Sequence, residues 1–214
     1  MPKDKKIKVG FSIGDLNGIG GELIVKTLQD EWLLELCTPV IYASSKIISF
    51  LGAHFETPFR INSIQKAQSA LPSEINVLDV WEENVNIKFG KPTREAGRYA
   101  ILSLQAAVQD LKSAYIDVLV TPPINKQNIQ SDTFQFPGHT DYLNQQLDGD
   151  SLMFMISNKL RIGLLTDHLP IAEVTSQITE ALICKKLEII NHSLEYDFGI
   201  INPTIAVLGL NPHS

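Results

Sequence analysis

Four side chains that can hold a proton, an anion or a metal ion come after apolar segments of this sequence. Lys126 and His139 follow the apolar run Val118–Val120, and His168 and His213 each follow a later apolar run. Histidine is the commonest metal ligand and titrates near neutral pH, and lysine attracts anions. Loops that leave a parallel sheet gather at the carboxyl ends of its strands, so these residues could share one site. Spacing alone leaves open the alternative that each histidine is an ordinary hydrogen-bonded loop or core residue.

The spacing matches no established metal or nucleotide signature. The chain has no HExxH motif and no short pair of metal ligands. The glycine-rich stretch GDLNGIGG, residues 14–21, is neither the dinucleotide fingerprint GxGxxG nor a Walker loop. It follows an apolar strand and opens a helix. Two interpretations of these glycines stay open: an anion at the helix N-terminus, or simple close packing of strand and helix.

Apolar strands alternate with helical patterns along the chain, which predicts an α/β fold. The predicted strands lie at 7–13, 39–43, 118–120, 151–156, 160–165 and 204–210, and the predicted helices at 22–28, 46–51, 93–111, 141–147 and 176–194. Residues 54–88 are predicted as short strands and loops. Thr93 is the expected N-cap of its helix. The strands at 151–156 and 160–165 are expected to form a hairpin within a mixed sheet. The continuous apolar run 205–210 predicts a final strand buried on both faces.

Composition bounds the class of protein. The 214 residues carry a net charge of -6, which argues against nucleic acid as a partner because phosphate backbones select basic surfaces. No signal peptide and no membrane-spanning apolar run is evident. Cys37 and Cys184 are far apart and are predicted to be reduced core residues. These features favour a cytoplasmic protein without nucleic-acid or membrane partners.

Five motifs in order resemble the 4-hydroxythreonine-4-phosphate dehydrogenase family: GDLNGIG at 14–20, TPPINK at 121–126, FPGHTDYL at 136–143, LLTDHLPIAEV at 164–174 and IAVLGLNPH at 205–213. Five ordered matches disfavour an unrelated α/β protein. The resemblance implies NAD-dependent, divalent-metal-dependent oxidation of 4-phosphooxy-L-threonine. Decarboxylation to 3-amino-2-oxopropyl phosphate follows, in pyridoxal phosphate biosynthesis.

The same resemblance implies a fold and an assembly. The fold is the α/β/α sandwich with a mixed sheet found in isocitrate and isopropylmalate dehydrogenases. It has two lobes, the first at roughly 1–125 and the start of the second at roughly 126–214. The expected assembly is a homodimer whose active sites borrow residues from both subunits.

The resemblance also gives roles to single residues. It implies that His139 and Thr140 contact the substrate, a small phosphorylated hydroxy amino acid, and that His168 and His213 are two of three histidines holding a divalent metal. Lys126 is expected to be a catalytic residue that contacts substrate or transfers a proton. Zinc is the expected metal, with magnesium or cobalt as alternatives, because neutral imidazoles suit borderline metals. The residues that bind NAD are not identified.

The sequence departs from the family pattern at several positions. The family usually has proline and alanine where Leu16 and Asn17 stand and proline in place of Gly21, which we interpret as tolerated loop variation. The family continues beyond LNPH, so we expect this chain to be C-terminally truncated and inactive alone. Two alternatives stay open: a non-catalytic remnant, and a dehydrogenase of a related four-carbon sugar-acid phosphate.

Overall fold

The computed structural model describes residues 6–30, 32–131 and 134–212. The chain divides into two compact units, residues 1–147 and 148–214, and each is described by itself. The first unit extends past the expected lobe boundary near residue 125 because Phe134 and Tyr142 pack on the helix Arg94–Lys112. That these units correspond to the two lobes of the family stays a prediction. No helix in the described ranges is long and apolar enough to cross a bilayer.

The first unit is an α/β structure built on five strands. The strands are β1 (Ile7–Ser12), β2 (Cys37–Ala43), β3 (Ile61–Ile64), β4 (Ile75–Asp79) and β5 (Val118–Val120). The helices are α1 (Gly20–Leu28), α2 (Trp32–Leu36), α3 (Ser45–His54), α4 (Arg94–Lys112) and α5 (His139–Gln146), with a short 3-10 helix at Ala67–Ser69. The sequence predicted these elements with three kinds of exception: β3 and β4 were predicted only as short strands somewhere within 54–88, and α2 and the 3-10 turn were not predicted.

The five strands form one parallel sheet in the order β3-β4-β2-β1-β5. Every residue of β2 is buried, as expected for a central strand covered on both faces. Helices α1 and α3 cover one face, where Ile41 packs, and α4 covers the other, where Tyr42 packs. The carboxyl ends of β1 and β5 lie side by side, so the loops that leave these two strands are neighbours.

Helix α4 begins as the sequence predicts. The Thr93 hydroxyl accepts a hydrogen bond from the Ala96 N–H at 3.2 Å, which confirms Thr93 as the N-cap. Its buried face carries small and apolar residues at helical spacing, including Ala100 and Leu104. This face packs on the sheet and on the loop that follows β5, so α4 supports both.

The second unit contains the hairpin β6 (Phe154–Ile156) and β7 (Arg161–Gly163), and the helices α6 (Ile171–Gln177) and α7 (Glu180–Tyr196). The hairpin is confirmed, although in the described part of the chain it forms its own two-stranded sheet. The predicted helix at 176–194 was wrong at its start. Ile178 and Thr179 are extended, and the Thr179 hydroxyl caps a new helix by accepting the Leu182 N–H at 3.2 Å.

The predicted final strand at 204–210 was wrong. This segment has no regular structure, and Val207 and Leu208 are 54% and 87% exposed. A strand is defined by its hydrogen-bonded neighbour, and among the described residues this segment pairs with none. The prediction for Cys184 was also wrong, because its side chain is exposed on α7, whereas Cys37 is buried as expected. Burial raises the pKa of the Cys37 thiol.

Candidate active site

The glycine turn after β1 meets the loop after β5. The Asp15 N–H donates a hydrogen bond to the Pro123 carbonyl oxygen at 3.0 Å. Gly14 has φ of +68°, and a β-carbon there would lie 2.7 Å from the same oxygen, so only glycine fits. Gly20 is equally restricted, because its β-carbon would lie 2.7 Å from the Ile13 carbonyl oxygen and 3.2 Å from Pro122. The motifs GDLNGIG and TPPINK therefore form one surface.

The loop after β5 is held by its own amide side chains. Asn125 Oδ1 accepts hydrogen bonds from the N–H groups two and three residues later, at 3.0 and 3.1 Å, which closes a tight turn around Lys126. Gln130 Nε2 donates to the Phe136 carbonyl oxygen at 2.8 Å and so closes the far end of the loop. Neither Asn125 nor Gln130 was predicted from the sequence to shape this loop. The asparagine itself could have indicated the turn, since Asn is frequent in turns, where its side chain forms a hydrogen bond with the backbone two residues later.

Lys126 and the GHT motif lie together. A β-carbon on Gly138 would be 3.7 Å from Lys126 Cε, so the lysine stem passes directly beside Gly138. The Lys126 side chain is exposed beyond that point. The structure therefore places the Lys126 side chain beside Gly138, the residue that precedes His139 and Thr140, and a site shared by these residues stays a prediction.

His139 is the first residue of α5, and its side chain is partly buried. Its Nε2 atom is buried and has no hydrogen-bond partner in the described chain. Burial lowers the pKa of His139, so the ring is neutral at neutral pH. Buried polar atoms in native proteins nearly always have a partner, so the His139 Nε2 atom calls for one that the described residues do not supply. Thr140, the next residue, presents an exposed hydroxyl.

The N-terminus of α5 offers further hydrogen-bond donors. Its N-cap is Gly138, which has no side chain to cap the free N–H groups of the first turn. Such groups and the helix dipole favour an anion. Lys126 adds a positive charge at the same end of the helix. Asp141 also lies in this turn but is exposed. The arrangement suits a substrate with a phosphate or carboxylate group.

Aromatic packing fixes α5 against the first unit. Phe134 is completely buried, and its ring centroid lies 5.1 Å from that of Tyr142. Phe136 contacts both rings, and the cluster packs on the apolar face of α4. His139 is therefore held by a rigid support rather than by a free loop.

The two expected metal ligands are not brought together by the described residues. His168 lies in the second unit, in the turn after β7, and is exposed with φ of +51°. His213 lies outside the described residues. Across the described ranges no group of three His, Cys, Asp or Glu side chains is arranged to hold a metal. The metal site stays a prediction, with His168 as one exposed imidazole able to contribute to it.

Comparison with known proteins identifies relatives along nearly the whole chain. The family model described as "Pyridoxal phosphate biosynthetic protein PdxA" matches residues 35–214. The curated 4-hydroxythreonine-4-phosphate dehydrogenase of Bacteroides thetaiotaomicron is 41% identical over 214 residues, covering 99% of this chain and 59% of that protein. Its counterpart in a Sulfurihydrogenibium species is 32% identical, covering 97% of this chain and 64% of that protein. The chain thus spans about three fifths of the length of these relatives.

Solved structures of the same family match the fold of this chain. The crystal structure of a 4-hydroxythreonine-4-phosphate dehydrogenase from Burkholderia phymatum superposes with a TM-score of 0.85 at 27% identity, covering 98% of this chain and 64% of that one. This confirms the expected α/β fold of the isocitrate dehydrogenase type. Because the family model covers most of its residues, the chain belongs to the PdxA family of pyridoxal phosphate biosynthetic proteins.

Proposed function

We propose that this chain serves the NAD-dependent oxidation of 4-phosphooxy-L-threonine, with decarboxylation to 3-amino-2-oxopropyl phosphate, in pyridoxal phosphate biosynthesis. One observation carries the proposal beyond family membership. The Lys126 side chain passes beside Gly138, the N-cap of α5, and the first residue of that helix is His139, whose buried Nε2 has no hydrogen-bond partner among the described residues. Together they offer positive charge and hydrogen-bonding groups of the kind that a small phosphorylated hydroxy amino acid needs.

Each residue has a distinct task in this proposal. The first-turn N–H groups of α5 and Lys126 hold an anionic group of the substrate. His139 would form a hydrogen bond with the substrate, and its neutral ring can accept a proton from a hydroxyl, which an imidazolium cannot. Thr140 adds a hydroxyl that can donate or accept. Lys126 is the proposed catalytic residue, which would contact the substrate or transfer a proton.

The proposed cofactors are NAD and a divalent metal, zinc before magnesium or cobalt, with His168 and His213 as two metal ligands. A bound divalent cation lowers the pKa of a substrate hydroxyl and polarises the ketone formed from it. Since the described residues supply only His168, the tasks above are derived for the protein groups alone. A homodimer with shared sites and a cytoplasmic location complete the proposal.

Calorimetric titration of the purified chain with 4-phosphooxy-L-threonine tests the site. We expect binding that His139→Ala and Lys126→Ala each weaken about tenfold or more, since each removes a hydrogen bond or charge worth roughly 1–3 kcal/mol. His192→Ala is the matched control, because His192 stacks on Tyr196 in the second unit at 4.4 Å and is not placed in this site. Equal affinity for threonine without phosphate would contradict the proposal.

NADH formation in the presence of zinc separates the candidate reactions. Turnover of 4-phosphooxy-L-threonine supports the proposed dehydrogenase, and preferential turnover of threonate or erythronate phosphate supports a related enzyme. Binding without turnover supports the non-catalytic alternative.

A further inference from the structure

Asn17, in the glycine turn after β1, is almost fully buried, with 3% of its surface exposed. Its Nδ2 donates hydrogen bonds to the Lys91 carbonyl oxygen and the Thr93 hydroxyl, both at 2.9 Å. Its Oδ1 accepts from the Lys88 N–H at 2.7 Å, and its own carbonyl oxygen accepts from the Gly90 N–H at 2.8 Å. One residue thus fixes a whole segment that lies more than seventy positions away in sequence.

One route leads from Asn17 to the candidate site through the glycine turn. The Asn17 N–H donates to Asp15 Oδ1 at 3.0 Å. The Asp15 N–H in turn donates to the Pro123 carbonyl oxygen at 3.0 Å. Pro123 stands three positions before Lys126. A change in the turn is therefore transmitted to the base of the loop that carries the proposed catalytic lysine.

A second route runs through α4. The Thr93 hydroxyl that binds Asn17 also caps α4. One turn further on, Gly97 lies so close to the loop after β5 that a β-carbon would overlap the Asn128 carbonyl oxygen. Asn128 closes the turn that contains Lys126. Displacement of the first turn of α4 would therefore shift that turn directly.

We infer that Asn17 is a positioning residue for the candidate site, which acts by holding the segment 88–93 and the first turn of α4 so that Lys126 and His139 keep their places. The inference deepens the proposed function and rests on it for the meaning of the site. Replacement of a fully hydrogen-bonded buried amide costs more than loss of its own contacts, because its partners are left unpaired.

Asn17→Ala in the full chain is the test, with the titration of the His139 ring followed by NMR. Removal of the amide frees segment 88–93 and the first turn of α4, so that His139 should lose part of its burial and its pKa should rise toward its ordinary value of about 6.5. Affinity for 4-phosphooxy-L-threonine should fall about tenfold or more in parallel. An unchanged His139 titration in a folded variant would overturn the inference.

Asn76→Ala is the matched control. Asn76 is also a fully buried asparagine, and its Nδ2 donates to the carbonyl oxygens of Pro39 and Leu71 near the start of β4. Its loss should reduce stability as much as loss of Asn17 while leaving the His139 titration unchanged. If both variants shift His139 equally, Asn17 has only a general structural role and the inference fails.

Amide hydrogen exchange of the unmodified chain gives a test that needs no variant. The amides of Lys88 and Gly90 bond Asn17, and the amide of Asp15 bonds Pro123, so all three should exchange with similar protection. Much faster exchange of Lys88 and Gly90 than of Asp15 would overturn the coupling. The His139 titration and the exchange measurement use no substrate, so they can fail while the proposed function stands, and the binding experiment can fail while the coupling holds.

Discussion

The two units of this chain use apolar residues in opposite ways. In the first unit, the apolar strand β2 lies in the centre of a sheet, and Val40, Ile41 and Tyr42 are fully buried. In the second unit, the equally apolar segment 204–210 is exposed. Among the described residues of this unit, only Ile190 and Leu194 are buried hydrophobic residues. An apolar pattern therefore gives a core only where neighbouring elements cover both faces.

The difference has an energetic consequence for each unit. A central parallel sheet covered by helices opens only with global unfolding, whereas a segment without paired backbone groups opens at almost no cost. The candidate substrate-binding residues Lys126, His139 and Thr140 belong to the first, better packed unit. His168 belongs to the second.

Hydrogen exchange should show the largest contrast. We expect amides of β2 to exchange only through global unfolding, at a free-energy cost of roughly 5–15 kcal/mol, and amides of 204–210 to exchange with a cost near zero. Measurement by NMR or mass spectrometry under native conditions checks this. Strong protection of 204–210 would show that this segment is paired in solution and would break the comparison.

Truncation of one large apolar side chain in each unit should give the next largest difference. Ile41→Ala removes a fully buried side chain and should lower the free energy of unfolding by about 2–5 kcal/mol. Leu208→Ala removes a side chain that is 87% exposed and should change it by less than about 0.5 kcal/mol. Urea denaturation of both variants gives the two values. A comparable loss for Leu208→Ala would contradict the exposed state of the segment.

The two threonine caps give a matched pair with a smaller effect. Thr93 and Thr179 each accept a hydrogen bond from the N–H three residues on, at 3.2 Å. Thr179→Ala should cost about 0.5–1 kcal/mol. Thr93→Ala should cost about 1–2 kcal/mol, since it also removes the partner of buried Asn17. Equal costs, measured by thermal and urea unfolding, would show that the Asn17 contact adds nothing to stability.

The smallest expected effect is the pH dependence due to His139. Because burial lowers its pKa in the folded state, the unfolded chain binds a proton more readily, and stability should fall as pH drops below about 6.5 through the folded-state pKa. His139→Gln, which cannot titrate in this range, should remove that part of the pH dependence. Urea unfolding of both proteins across the acidic range checks the sign, and an identical pH profile would contradict it.

The parts of the fold predicted from sequence are those with local causes. Helix α4 was predicted because its apolar spacing and its Thr93 cap are both readable within a few residues. The hairpin of β6 and β7 was also predicted, because the short turn between its strands can be recognised within a few residues. The final strand was predicted wrongly because an apolar run does not specify whether another strand will pair with it. The break between α6 and α7 was missed because apolar periodicity continues across it.

In the candidate site, too, features with local causes were predicted and features that depend on distant residues were not. The adjacency of Lys126 to the GHT motif was anticipated, since both lie in one loop. The burial of Leu16, Asn17 and Gly21 was not, because these positions were interpreted as tolerated loop variation. Their environment depends on residues far along the chain, such as the segment that bonds Asn17 and the Leu51 side chain that leaves no room beside Gly21. Long-range contacts of this kind have no local pattern in a single sequence.

The position of β5 beside β1 also has a consequence for the order of events during synthesis. Strands β1 to β4 leave the ribosome within the first 79 residues and can pair as soon as they emerge. Strand β5 is synthesised only after the whole of α4. Pro123 can therefore bond the glycine turn only after α4 has been synthesised. Because closing such a long loop is slow, we expect the candidate site to be the last part of the first unit to form in the growing chain.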